Sequence, residues 1–430
     1  MNAIRTLVFA LCATCGAAGA AFAQDDSAWA EQKTTASDGT TNTYFGSAAA
    51  VVGTTAAIGA DGDDDFAGSV YLLTKTGGAW SEAQKVGADD RAGGDEFGYR
   101  VALADGLMVA TAFSATVGAN TSQGAAYVFV HDAGAWTQSQ KLLADDGLQF
   151  DDFGSAVAID GTRLLIGANG ATVGANAAQG AAYVFTSDGA TWMQAQKLVA
   201  DDGVAFDNFG IAAAVAGDTA FVGAPSAQVD GNAGAGAVYV YSLAGGQWTQ
   251  VQKLVASDGH AFGAFGMSLA YDGTTAIVGA TGGTGAAYVF TNSGGSWIQA
   301  QKLVGDDTVS GDGFGNAVAL SGTKLLVGSD IATVDGNTSR GAAYLFSAGA
   351  AGWVQTHKFV ASDGTTDDFF AASLALDGDT AILATPHPTI GIHSWQGAAY
   401  FYTRDTLFAD GLDGPAQEAD SRAAPSPANR

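Results

Sequence analysis

Short runs in which apolar and small residues alternate, each closed by a turn dipeptide, recur along the whole chain, and this two-residue period predicts β-strands. Phe153-Gly154-Ser155-Ala156-Val157-Ala158-Ile159 is one such run, and Asp160-Gly161 behind it supplies the turn expected between paired strands. Leu164-Leu165-Ile166-Gly167 is a second. A loop rich in Gly, Ala and Asn leads to a third run, Ala181-Ala182-Tyr183-Val184-Phe185, and Trp192-Met193-Gln194-Ala195-Gln196-Lys197-Leu198 is the fourth. Together they predict one small antiparallel sheet, apolar on both faces.

The unit then repeats. The glycines that open the third strands, Gly68, Gly124, Gly180, Gly236, Gly285, Gly341 and Gly397, stand 56 residues apart, except for 49 between Gly236 and Gly285. Trp80, Trp136, Trp192, Trp248, Trp297 and Trp353 each follow such a glycine by 12 residues, a distance too constant for anything but a tight hairpin. Units repeated at this period depend on their neighbours for burial, and small twisted sheets set around an axis form a propeller. The chain opens with a fourth strand at residues 29–33 that has no first three, and ends with a third strand at 398–402 that has no fourth. The expected fold is therefore all-β: a seven-bladed β-propeller over residues 24–404, four antiparallel strands per blade, with the N-terminal strand completing the last blade and closing the ring. Lysine holds one place in every outer strand (Lys33, Lys85, Lys141, Lys197, Lys253, Lys302, Lys358), which reads as protection of the edge against strand pairing.

The inner strands begin Phe45-Gly46, Phe97-Gly98, Phe153-Gly154, Phe209-Gly210, Phe265-Gly266 and Phe314-Gly315, and second strands end in Gly-Ala, once as Gly223-Ala224-Pro225. These motifs resemble the FG-GAP repeat of the integrin alpha-chain propeller, and more closely its bacterial secreted type. The seventh copy departs, reading Phe370-Ala371, and most copies lack the proline. The resemblance implies recognition and cell adhesion rather than catalysis. Integrin-type repeats often carry a calcium loop between the first and second strands. Here those connections are as short as Asp105-Gly106, Asp160-Gly161 and Asp377-Gly378, too short for the six or more oxygens calcium takes. No cofactor and no metal site are expected; calcium alone is left open, without support from these turns.

The first residues set the compartment. A basic start, an apolar stretch and Ala21-Phe22-Ala23 fit a secretory signal over residues 1–23, too short and too weakly apolar to remain as a membrane span. Secretion, whether extracellular, periplasmic or to the cell surface, is expected. Both cysteines, Cys12 and Cys15, lie in that segment, so the mature chain has neither disulfides nor a catalytic thiol. A formal net charge of −26 would repel nucleic acid and anionic lipid. A monomer is expected, and residues 405–430, rich in Pro, Ala and Ser, read as a disordered tail.

Acids concentrate where one outer strand leads to the next inner strand, as at Asp145-Asp146-Gly147, Asp151-Asp152 and Asp201-Asp202-Gly203. Asp in such places builds turns; as a set, these acids would also make a cation-attracting rim. They share a face with the strand 2–3 loops, where nearly all length variation falls, and binding resides on variable loops of a constant scaffold. The seventh such loop holds His393 and Trp395, and Asp-Gly-Asn tips occur at Asp230, Asn232, Asp335 and Asn337. These six are the candidate ligand contacts. No catalytic residues are expected, since neither a Gly-x-Ser-x-Gly elbow nor a His-Glu-x-x-His pair occurs. The chain thus reads as a non-enzymatic binding module for a protein or glycan. The alternative is a propeller hydrolase of glycans or phosphoesters, with carboxylates converging on the central channel.

Overall fold

The computed structural model describes residues 29–404; the expected signal segment and tail lie outside these residues. Seven four-stranded antiparallel sheets surround a central channel. Blade 3 is representative, with strands Phe153–Asp160, Arg163–Ala168, Ala181–Ser187 and Trp192–Leu198 paired in chain order from the channel outward. Blades 1, 2, 4, 5 and 6 follow the same order. Blade 7 takes its first three strands from Ser373–Asp377, Thr380–Thr385 and Ala398–Arg404, and its outer strand from Trp29–Thr34. Trp29 pairs with Arg404 and Thr34 with Ala399, so the two ends of the described chain close the ring as the repeat count required.

The core lies between blades. Each cluster of buried apolar side chains draws from two neighbouring sheets, as where Leu165 and Val184 of blade 3 pack with Val222, Tyr239 and Trp248 of blade 4. Within each blade the phenylalanine of the Phe-Gly pair is buried, and its ring meets the third-strand tyrosine edge-on, as Phe153 meets Tyr183 at 5.6 Å. Edge-to-face contact is the arrangement aromatic quadrupoles prefer.

Glycine is required where blades touch. Gly124 of blade 2 bridges Phe153 of blade 3, at φ +85°, and a Cβ there would lie 2.1 Å from the Phe153 carbonyl oxygen. Gly167, the glycine of a Gly-Ala pair, faces the Gly210 carbonyl of the next blade, where a Cβ would lie at 1.8 Å. The Phe-Gly and Gly-Ala motifs are thus the two sides of the interblade seam. The seventh copy tolerates alanine: Ala371 is buried with φ 70°.

The outer-strand lysines do more than guard an edge. Lys197 donates to Asp146 at 2.6 Å, and the hydroxyl of Tyr183 donates to the other oxygen of the same carboxylate at 2.9 Å. The Asp belongs to the loop arriving from the previous blade, so each Asp–Tyr–Lys triad fastens a connection to the blade it enters. All seven lysines are held this way, by Asp363, Asp38, Asp90, Asp146, Asp202, Asp258 and Asp307 in ring order. The second acids of these loops are also structural: Asp151 accepts the Leu148 N–H at 2.8 Å, and Asp95, Asp207, Asp312 and Asp368 accept the equivalent bond.

Candidate functional site

The strand 2–3 and strand 4–1 loops form one face of the ring. They are bonded to each other across blades, the N–H of Phe150 donating to Thr121, of Phe206 to Ala177 and of Phe262 to Ala233. The opposite face carries only short turns. Between Asp160 and Arg163 two residues intervene, and across the seven such turns the carboxylates number from none, at Gly53-Thr54 and Gly322-Thr323, to two, at Asp377 and Asp379, so these connections do not fit a calcium loop. Among the described residues no group of three or more His, Cys, Asp or Glu is placed to hold a metal ion.

The channel is lined by the inner strands of all seven blades, with a volume of about 260 Å³. Its polar side chains are Ser47, Arg100, Ser268, Asn316 and Ser373, and no carboxylate lines it. The acids stand instead at its mouth. The residue before each Phe-Gly pair, where the loop turns down into the inner strand, adopts left-handed backbone: Tyr44, Glu96, Asp152, Asn208, Ala264 and Phe369, with Gly313 in the remaining copy. Tyr44, Ala264 and Phe369 carry this conformation at a cost of order 1 kcal/mol each.

Over blades 7, 1 and 2 the mouth deepens into a cavity of about 310 Å³ lined by Tyr44, Ser47, Asp61, Phe66, Glu96, Pro386 and His387. Four connections build it: residues 35–44, 61–68, 87–96 and 386–397. Blade 1 replaces the long strand 2–3 loop with a single turn, Asp63–Phe66, whose Phe66 reaches the cavity while Asp63 is buried against Ser69 and Lys85. The Tyr44 ring lies 5.9 Å from Phe66, 5.6 Å from His387 and 6.0 Å from Trp395, the last nearly parallel. Phe369 closes on His387 at 4.7 Å.

Electrostatics separate this cavity from the rest of the face. Burial pushes the Asp61 carboxyl up to about 7, the neighbouring Glu96 adds to the effect and Arg100 opposes it. Glu96 is raised by burial, though Ser114 donates to it, and Asp152 rises to about 6 through burial and the charges of Asp151 and Glu96. Burial lowers His387 below the usual imidazole range in spite of the nearby Asp367 and Asp368, so the ring is neutral at neutral pH.

Of the six candidate contacts, Trp395 belongs to this site: it is 49% exposed and stacks on Tyr44. His393 does not face the cavity. It sits in a tight turn, bonded through its backbone to Ile390, that recurs as Val117–Asn120, Val173–Asn176, Val229–Asn232 and Val334–Asn337. Asn232 and Asn337 hold the same place in that turn. Their counterpart Asn176 spends its amide on Gln179 and the Gly203 carbonyl, but Ala235 and Arg340 stand where that glutamine would be, and Asn232 with Asp230 lines a small cavity of about 110 Å³. Asp335 accepts a 2.7 Å bond from Arg340, and Asp230 is an exposed tip. No contact joins Asp230 or Asp335 to Trp395.

Asp61 and Phe66 escaped sequence reasoning, while His387 was read only as a residue of the seventh loop and the position before Phe-Gly only as part of the acidic rim, as at Asp152. A signal existed: in a repeat where the flanking residues hardly change, that one position reads Tyr, Glu, Asp, Asn, Ala, Gly and Phe. Also unread were Phe150, Phe206 and Phe262, in one repeat position of blades 3, 4 and 5, which are 58%, 66% and 76% exposed.

Comparison with known proteins agrees with the fold. No curated protein sequence matches the chain. Among solved structures, a chain from the crystal structure of a mitotic checkpoint complex is similar, with a TM-score of 0.54 and 11% identity, covering 87% of this chain and 95% of that one. At that identity the likeness concerns the fold alone. The FG-GAP repeat model matches residues 29–73, 80–129, 136–185, 192–241, 248–290, 297–346 and 353–402, each match running from an outer-strand tryptophan into the next third strand. Seven matches in register, over most of the chain, place it in the FG-GAP repeat family.

Proposed function

We propose that this propeller is a secreted, non-enzymatic binding or adhesion module that recognises a protein or glycan through the face of strand 2–3 and strand 4–1 loops. One observation carries the proposal. Among the described residues, the exposed large apolar side chains lie on this face or on outer strands, apart from Met267 in the channel, and none lies in the turns of the opposite face. Leu148 and Phe150, Val204 and Phe206, and Phe262 form an arc over three adjacent blades, with Ile392 and Trp395 further round the ring. Exposed apolar residues gathered on one side mark interaction surfaces, and aromatic anchors dominate binding energy at such surfaces. Screening the mature protein against arrays of glycans and extracellular proteins tests this. Ligands found should be lost on Phe206→Ser with Phe262→Ser; retention of all of them by a folded double variant would refute it.

A hydrolase remains the second reading because Asp61 and Glu96 share one cavity with raised titrations, as a general acid requires. Against it stand the carboxylate-free channel and a net charge of −26, which opposes phosphoester substrates. Turnover of nitrophenyl glycosides or phosphates that disappears in Asp61→Asn would establish the second reading and displace the first.

A further inference from the structure

We infer that the open cavity at the channel mouth between blades 7, 1 and 2 binds an alkylammonium group, flanked by the rings of Tyr44, Phe66 and His387 and faced by the carboxylates of Asp61 and Glu96. The inference rests on the proposal that this face is the binding face, and adds a ligand class for one site on it.

Three independent features meet there. Aromatic walls come first: Tyr44 is flanked by Phe66 at 5.9 Å and His387 at 5.6 Å, and all three line the same 310 Å³ volume. Ring faces attract a cation, most strongly when it has shed part of its water, and quaternary ammonium is the cation that sheds water most readily. Uncompensated charge comes second. Asp61, Glu96 and Asp152 surround the mouth with Arg100 as the one base among them, and Arg100 is already engaged with Tyr99, donating to its carbonyl at 3.0 Å and stacking on its ring at 4.1 Å. Neither Asp61 nor Glu96 forms an ion pair with a base among the described residues. The third feature is His387, whose Nδ1 is buried without a hydrogen-bond partner and whose ring stays uncharged, so it adds a wall without repelling a cation.

The arrangement excludes other ligands as much as it selects this one. A bare metal ion would find too few converging oxygens, and an anion would meet two carboxylates. A neutral apolar group would fill the walls but leave the acids facing it without a counter-ion, at a cost in desolvation.

Cation binding favours ionised Asp61, so affinity should rise with pH through the neutral range as that carboxyl gives up its proton. The groups facing Asp61 in this balance are Glu96 and Arg100 from blade 2, Tyr44 and Ser47 from the strand entering blade 1, and His387 from blade 7.

Titration of the mature protein with tetramethylammonium, choline and the uncharged analogue 3,3-dimethylbutanol, followed by calorimetry and by tryptophan emission from Trp395, tests the inference. A peptide bearing trimethyllysine and the same peptide with unmodified lysine separate a macromolecular source of the group from a free small molecule. The cations should bind saturably and the uncharged analogue about tenfold more weakly or worse. Asp61→Asn should weaken binding about tenfold and flatten its pH dependence, Tyr44→Leu should weaken it similarly, and Tyr44→Phe should retain it. Absence of saturable binding by tetramethylammonium, choline and the trimethyllysine peptide overturns the inference. So does equal binding of 3,3-dimethylbutanol, or unchanged affinity in a folded Asp61→Asn variant. If macromolecular ligands of the Phe206 and Phe262 arc persist while cations fail to bind, this inference falls alone.

Discussion

Gln140 is joined to Trp192 of the next blade by a side-chain amide that makes both bonds of a β-pair: its Nε2 donates to the Trp192 carbonyl at 2.7 Å and its Oε1 accepts the Trp192 N–H at 2.8 Å. Gln32 and Trp80, Gln84 and Trp136, Gln196 and Trp248, Gln252 and Trp297, and Gln301 and Trp353 repeat it. Outer strands of neighbouring blades, too far apart to pair directly, are thereby laced together. At the junction of blades 6 and 7, His357 takes the glutamine's place and its ring lies 6.4 Å from that of Trp29.

Gln140→Ala should lower unfolding free energy by about 2 kcal/mol, because two part-buried backbone groups lose their partner at once. Urea denaturation measures this directly. A loss under about 0.5 kcal/mol would mean that water replaces the amide freely and that the lacing carries no stability.

A pair of glycine substitutions separates interblade contact from backbone conformation. Gly124→Ala puts a methyl 2.1 Å from the Phe153 carbonyl and should cost more than about 3 kcal/mol, whereas Gly118→Ala, at φ +62° with nothing within 4 Å, should cost only about 1 kcal/mol for its left-handed backbone. Equal melting temperatures for the two variants would remove the steric account of the Phe-Gly seam.

Ring closure has its own test. Deleting residues 24–34 strips blade 7 of its outer strand, exposes the edge of Ala398–Arg404 and uncovers Phe359 and His357, against which Trp29 packs. It should lower the melting temperature far more than deleting residues 405–430 and promote aggregation through the free edge. Closely matched melting temperatures would show that the N-terminal strand is dispensable.

Two classes of carboxylate should respond to acid in opposite directions. Burial raises Asp146, but the bonds from Lys197 and Tyr183 outweigh it and hold the carboxyl below its ordinary value. Its stabilising contribution is complete above about pH 4 and is lost as pH falls through the lower folded value, so Asp146→Asn should destabilise at neutral pH and progressively less in acid. Asp61, raised to about 7, binds its proton more tightly when folded. Stability therefore falls as pH rises from about 4 to about 7, and the melting temperature of Asp61→Asn relative to wild type should climb across that window. A difference independent of pH for either variant would contradict the assigned cause.

Architecture was legible because the repeat supplies seven copies of one pattern. Any misreading of a strand in one copy is corrected by the other six, and the odd fragments at residues 29–34 and 398–404 had no partner but each other. The site was not legible for the same reason. Attention to the tips of variable loops selected Asp230, Asn232, Asp335, Asn337 and His393, whose turns are themselves repeated structure. Tyr44, Asp61, Phe66 and His387 are scattered over three connections in two blades, and only closure of the ring brings them together. Trp395 was found because it is the one tryptophan outside the repeat. Lysines were credited to edge protection because their aspartates lie about fifty residues earlier, or for Lys33 at the far end of the chain, separations that become contacts only after the blades stack.

The central claim is that one face of the ring binds and the other does not. Amide hydrogen exchange, compared with and without any ligand identified on the arrays, reads both faces in a single experiment. The loops at residues 145–152, 201–208 and 258–264, which carry Phe150, Phe206 and Phe262, should slow on binding, while the turns at 105–106, 161–162 and 217–218 keep their free rates. Protection confined to those opposite turns would mean that the functional face has been assigned to the wrong side of the propeller.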